Sequence, residues 1–130
     1  MARSSRVPGR IGNGSVLLVP VRVVGQDFEF LVDTGSAYTA VASSTARYLS
    51  LRSHATPGMR IARAHGPIVR VPTARVEALS VGGHRVENLD VLVLDLPGEL
   101  QIDGLLGMDF LSRFRVTLEP DTATLVLRAM

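Results

Sequence analysis

Apolar residues along this chain recur mostly at alternate positions, in short runs broken by Gly, Pro, Asn and Asp, which is the period of strands and not of helices. Ser15 to Val24 is rich in β-branched residues, Gly25-Gln26-Asp27 forms a turn, and Phe28 to Val32 completes a first hairpin. Pro20 has no N–H to give to a ladder, so its strand should be an edge or bulged there. Tyr38 to Ala42 reads as a short strand, followed by a helix, Thr45 to Leu49, with Ser43 or Ser44 available as its N-cap. Met59 to Ala64 and Pro67 to Val71 flank His65-Gly66 as a second hairpin, and Thr73 to Val81 turns at Gly82-Gly83 into Val86 to Leu94 as a third. Leu105-Leu106-Gly107 then opens a short amphipathic helix, Met108 to Phe114. A last hairpin joins Val116 to Leu118 with Thr124 to Arg128 around Glu119-Pro120-Asp121. The pattern predicts an all-β domain, barrel-like or a sandwich, with one or two short helices.

The elements also echo one another. Hairpin, apolar run, Asp33-Thr34-Gly35, strand and helix in the first half answer to hairpin, apolar run, Leu105-Leu106-Gly107 and helix in the second, in architecture though not residue for residue. With 130 residues and 46% hydrophobic content, one domain with a real core is expected, spanning residues 15–130. Residues 1–14, rich in Arg, Gly, Ser and Pro, read as a flexible N-terminal tail. That segment lacks the apolar stretch of a signal peptide, and no run is long enough for a membrane helix, so a cytoplasmic location without membrane contact is the expectation.

Charge narrows the function classes further. The isoelectric point of 9.9 looks strongly basic. Yet every basic residue beyond His is an arginine, the net charge is only +2, and the arginines are spread along the chain. With 5% aromatics and no Trp, neither a clustered cationic face nor a stacking platform for nucleic acid is visible. The absence of Cys excludes disulfides, thiolate nucleophiles and Cys-based zinc sites.

The chemistry concentrates at Phe30-Leu31-Val32-Asp33-Thr34-Gly35-Ser36-Ala37, where an apolar run ends in an acid, a hydroxyl and a glycine. A carboxylate at the end of a buried strand is desolvated, which is costly unless it is hydrogen-bonded or put there for chemistry. Gly35 would let the backbone turn tightly and bring its N–H to the carboxylate, and the Thr34 hydroxyl would tie the loop down. Asp33-Thr34-Gly35-Ser36 after an apolar strand resembles the active-site loop of aspartic peptidases, and the chain length resembles the single-domain, retropepsin-like branch. Leu105-Leu106-Gly107-Met108-Asp109 resembles that family's second element, an apolar pair and glycine opening a late helix. The resemblance runs from about Ser15 to Arg128.

It implies a small closed-barrel fold with a flap hairpin, and an endopeptidase working without metal or organic cofactor. Asp33, Thr34 and Gly35 would be its catalytic loop. Because the family's chemistry needs two carboxylates and Asp121-Thr122-Ala123, the nearest second triplet, lacks the glycine, a homodimer acting on a peptide or protein substrate is implied. Ser36 and Ala37 beside the triplet, with Ala64, His65 and Gly66 at the expected flap tip, are the candidate substrate contacts. The Ser36 hydroxyl would donate to Asp33 and favour its ionised form. Retroviral members usually carry an arginine after the late glycine, paired with an acid two residues beyond the active-site glycine; here those positions are Met108 and Ala37. Asp103 reads as a loop acid and Asp109 as a helix-start acid favoured by the macrodipole. The alternative from another class is a non-proteolytic dimerisation or peptide-binding module on the same fold.

Overall fold

A computed structural model describes residues 3–51, 59–62, 68–96, 98 and 101–130. Its strands are β1 (Ser4–Pro8), β2 (Arg10–Ile11), β3 (Leu17–Val23), β4 (Gln26–Val32), β5 (Ala40–Ala42), β6 (Met59–Ala62), β7 (Ile68–Val71), β8 (Thr73–Val81), β9 (His84–Leu94), β10 (Gly104–Leu106), β11 (Phe114–Glu119) and β12 (Thr124–Ala129). Two short helices, α1 (Ser43–Tyr48) and α2 (Met108–Leu111), complete it.

The main sheet runs β2-β3-β4-β10-β5-β9-β8, and a further pairing of β3 with β8 closes six of these strands into a barrel. Closure is what the alternation demands, because each strand buries one face and would otherwise leave an open edge. On β3 the inward residues Leu17, Val19, Val21 and Val23 are buried, while Pro20 and Arg22 are exposed. Pro20 sits where the sequence requires: β3 pairs with β2 through Leu17 and Leu18 and with β8 through Arg22 and Val23. Between those contacts β3 is locally an edge. The core joins Val19, Val21, Phe30, Val41, Val76, Leu79, Val91, Leu106 and Phe110, with each large apolar side chain contributing about 1.5–3 kcal/mol by leaving water.

The internal echo has a structural counterpart. Each half lends its short third strand to the other: β10 lies parallel to β4, and β5 lies parallel to β9. The two borrowed strands also pair with each other, antiparallel. Parallel neighbours end at the same edge of a sheet, so the exchange sets the segment after β4 beside the segment after β10.

Three expectations are corrected. The N-terminal segment, expected as a flexible tail, holds β1, which pairs antiparallel with β12 from Ser4↔Arg128 to Pro8↔Thr124 and buries Val7. β12 supplies that partner because its other side is already occupied by β11, in a three-stranded sheet ordered β1-β12-β11. Helix α1 uses no serine cap: Ala42 is its N-cap, without a side-chain bond, and the Thr45 hydroxyl instead donates to the Asp103 carbonyl. Helix α2 stops at Leu111, short of Phe114, because the ladder with β12 begins at Phe114↔Ala129 and draws that residue into extended structure. Among the described residues, no helix is long and apolar enough to cross a membrane.

Candidate active site

Val32 ends β4 in register with Leu106 of β10. Immediately beyond, the Asp33 N–H donates to the Leu106 carbonyl at 2.9 Å, which fixes the acid at the point where the strand pair stops. The loop then folds on itself: the Ser36 N–H reaches the Asp33 carbonyl at 3.2 Å, and the Gly35 N–H reaches Asp33 Oδ1 at 3.1 Å. The second bond is the one expected of the glycine. Its reason differs, because Gly35 does not adopt a left-handed backbone, and a Cβ there would meet only Asp33 Oδ1, at 3.4 Å. Space over the carboxylate, not backbone strain, is what the missing side chain leaves open.

A second segment clamps this loop from below. Met108 N–H donates to the Ser36 carbonyl at 2.8 Å, and Asp109 N–H to the Ala37 carbonyl at 3.1 Å. A Cβ on Gly107 would lie 2.4 Å from the Tyr38 carbonyl carbon and 2.8 Å from the Thr39 nitrogen. Only glycine permits backbone to approach backbone this closely. Leu105 and Leu106 have separate duties. Leu106 is fully buried in the barrel core, whereas Leu105 pairs in register with Leu31, is half-buried, and packs with Ala40, Val71 and Leu92 at the base of the β6–β7 hairpin.

The sequence reading missed the group that holds the clamp. Thr39 is wholly buried; its N–H donates to both oxygens of Asp109, at 2.9 and 3.0 Å, and its hydroxyl donates to Oδ1 at 2.7 Å. That hydroxyl also accepts the Gly107 N–H at 3.1 Å. Asp109 Oδ1 further accepts the Phe110 N–H at 2.8 Å, so the expected helix-start role is present but is one duty among several. Asp103, read as a loop acid, likewise anchors backbone, accepting the Glu29 N–H at 2.9 Å. The signal that could have found the pair is a buried-strand threonine with an acid directly after the helix-opening Gly-Met; a burial pattern alone does not announce it.

Two roles assigned from sequence move elsewhere. The Ser36 hydroxyl donates to the Tyr38 carbonyl at 2.9 Å and is therefore not given to Asp33. The Thr34 hydroxyl is exposed and ties down nothing among the described residues; Thr39 performs that task. Ala37 and Met108 are exposed next to the loop, with no ion pair between their positions. Asp121-Thr122-Ala123 lies on the exposed turn before β12, distant in the topology from the β4–β10 edge. Ala64, His65 and Gly66 lie outside the described residues. No group of three or more His, Asp or Glu suited to a metal occurs among the described residues.

An acid thus stands at the end of a barrel strand, beside a glycine and seated on an apolar-apolar-glycine element. The family model described as Aspartyl protease matches residues 19–110, and the chain belongs to that family. Among solved structures it is similar to a retropepsin-like aspartic protease from Rickettsia conorii, at TM-score 0.71 and 20% identity, over 99% of this chain and 94% of that one. It is also similar to the EIAV protease complexed with the inhibitor HBY-793, at TM-score 0.60 and 20% identity, over 79% of this chain and 91% of the other. At such identities the likeness shows the shared fold. No curated protein matches the chain significantly.

Proposed function

We propose that the protein is an endopeptidase that hydrolyses peptide bonds with a dyad of Asp33 carboxylates, one from each of two identical chains. The observation that supports this reading is Asp33, at the end of β4, where its Oδ1 accepts the Gly35 N–H and a side chain on Gly35 would come against that oxygen. Two carboxylates meeting across a two-fold axis at about 3 Å cannot both ionise, and so share one proton. The ionised member takes a proton from a water, which attacks the scissile carbonyl carbon. The protonated member donates to the carbonyl oxygen, giving a tetrahedral diol. Collapse breaks the C–N bond as the proton taken from water passes to the leaving nitrogen, and a diol hydroxyl gives its proton to the other carboxylate, which leaves a carboxylic acid product and returns the dyad with one proton. Flap residues Ala64, His65 and Gly66, with Ser36 and Ala37, would meet the substrate backbone.

The test is cleavage of a mixed peptide library from about pH 3 to pH 8, comparing wild type with Asp33→Asn and following oligomeric state by sedimentation in the same buffers. Cleavage by a wild-type dimer that vanishes in a still-dimeric variant is the expected result. A stable dimer that cuts nothing would instead identify a binding module on the same fold.

A further inference from the structure

The sheet ordered β1-β12-β11 has two outer strands, and they are not equivalent. The Ala129 N–H of β12 donates to the Arg3 carbonyl at 2.7 Å, and the Ala123 carbonyl just before β12 accepts the Gly9 N–H at 2.8 Å. Odd-numbered residues of β12 therefore bond to β1 and even-numbered ones to β11, because backbone groups in an antiparallel strand alternate from side to side. Pairing carries the alternation outward. Ser5 and Val7 bond to β12, which leaves Ser4, Arg6 and Pro8 turned to the outside of β1; Pro8 has no N–H, and such a residue blunts an edge. On β11, Arg115, Thr117 and Glu119 stand opposite Arg128, Val126 and Thr124 and bond there. The N–H and carbonyl groups of Phe114, Val116 and Leu118 are turned outward, with no second strand beside them among the described residues.

The side chains along this edge are unevenly covered. Phe114 packs on Phe110 with ring centroids 5.1 Å apart, and both Phe114 and Val116 lean on the barrel core. Leu118 points to the same face by alternation and lies in register with the buried Leu125, yet it is 41% exposed. A strand flanks it on one side only. The other face of β11 carries Arg115, Thr117 and Glu119, two charges of opposite sign placed evenly about a threonine.

We propose that β11 is the seam of the homodimer: two copies meet edge to edge, antiparallel about a two-fold axis through Thr117, and join their sheets into one of six strands. The register is self-complementary. Val116 lies opposite Leu118 of the partner subunit, and Leu118 opposite the partner subunit's Val116; each pair exchanges two N–H···O bonds and covers the exposed leucine. Arg115 lies opposite the partner subunit's Glu119, and Glu119 also holds Arg6 of its own chain. Such exposed ion pairs select the register and add little affinity. Pro120, directly after β11, ends the ladder. The strand follows α2 across Ser112 and Arg113, and α2 gives its Met108 and Asp109 N–H groups to the Asp33 loop, so the seam and the loop belong to one unit. The inference rests on the dimeric reading of the proposed function and says which surface forms that dimer, with β1 staying on its own chain.

A cysteine at the axis reports on the register. Thr117 would meet its own copy as a non-hydrogen-bonded pair with Cα atoms about 4.5 Å apart, within the span of a disulfide. The chain has no cysteine, so Thr117→Cys should become a covalent dimer under mild oxidation and keep its peptidase activity. Arg128→Cys is exposed on the same face, one strand inward. Its mate would lie at least three strand spacings away, about 14 Å, and it should stay uncrosslinked. Leu118→Asp should raise the dissociation constant at least about tenfold in sedimentation. The seam is overturned, and the Asp33 dyad left standing, if an active wild-type dimer is matched by a Thr117→Cys that fails to cross-link, cross-links no better than Arg128→Cys, or loses activity when cross-linked. An unchanged dissociation constant in Leu118→Asp overturns it too. Efficient cross-linking of Thr117→Cys beside a wild type that cleaves nothing would support the seam and remove the peptidase reading instead.

Discussion

Thr39 shows how one buried residue can position a proposed active site that it never enters. Its N–H and hydroxyl both go to Asp109, and the same hydroxyl accepts from Gly107, so the loop bearing Asp33 is tied to the late motif through a single side chain. Thr39→Val keeps the shape and the backbone bonds to Asp109, but it removes the hydroxyl's donation to Asp109 Oδ1 and orphans the buried Gly107 N–H. It should lower stability by about 1–3 kcal/mol in denaturant unfolding. Gly107→Ala forces a methyl into the Tyr38–Thr39 backbone and should cost at least as much, about 3 kcal/mol where the strand cannot move. Gly35→Ala should behave oppositely: unfolding changes by less than about 1 kcal/mol, because the single chain has room, while peptidase activity falls sharply as the methyl crowds the carboxylate. Equal losses of stability and activity at Gly35 would show that the glycine serves the fold instead of the chemistry. Ser36→Ala should leave the acidic limb of the pH–rate profile in place, since its hydroxyl serves Tyr38 and not Asp33.

At the scale of elements, much of the architecture was readable because strand alternation and Gly/Pro punctuation are local. The β3–β4 and β8–β9 hairpins, the closing β11–β12 hairpin and the edge position of Pro20 follow from patterns within a few residues of one another. What could not be read was long-range pairing. β1 looks like a tail because Arg, Ser and Pro carry little strand signal, and only the distant β12 gives its backbone a partner. The short helix α2 ends early for the same reason, its last predicted residue being claimed by a ladder with Ala129. The site divides likewise: Asp33 and the Leu-Leu-Gly element announce themselves in sequence, whereas the Thr39–Asp109 tie spans seventy positions and has no local signature. The exchange of β5 and β10 between halves makes Leu106 a keystone, buried to 0% exposure and in register beside Val32. Leu106→Ala should cost about 2–5 kcal/mol, measured by chemical denaturation.

For the whole molecule, the proposed assembly differs from the retroviral pattern in what lies beside its active-site loops. Ala37 and Met108 replace a charged pair with apolar side chains, and removing both partners together leaves no buried charge unmatched. The dimer's dissociation constant should therefore change little between about 0.1 and 1 M salt, as followed by sedimentation; a steep weakening with salt would point to ionic contacts elsewhere. Two identical carboxylates forming one site are the centre of the proposed assembly. Wild-type chains mixed with Asp33→Asn chains at fixed total concentration, and left to exchange subunits, test that claim directly. If every site needs both aspartates, activity falls as the square of the wild-type fraction, to about a quarter in an equal mixture; a linear fall to about a half, each Asp33 acting by itself, or a fall to only about three quarters, one Asp33 sufficing in a shared site, would contradict the shared dyad.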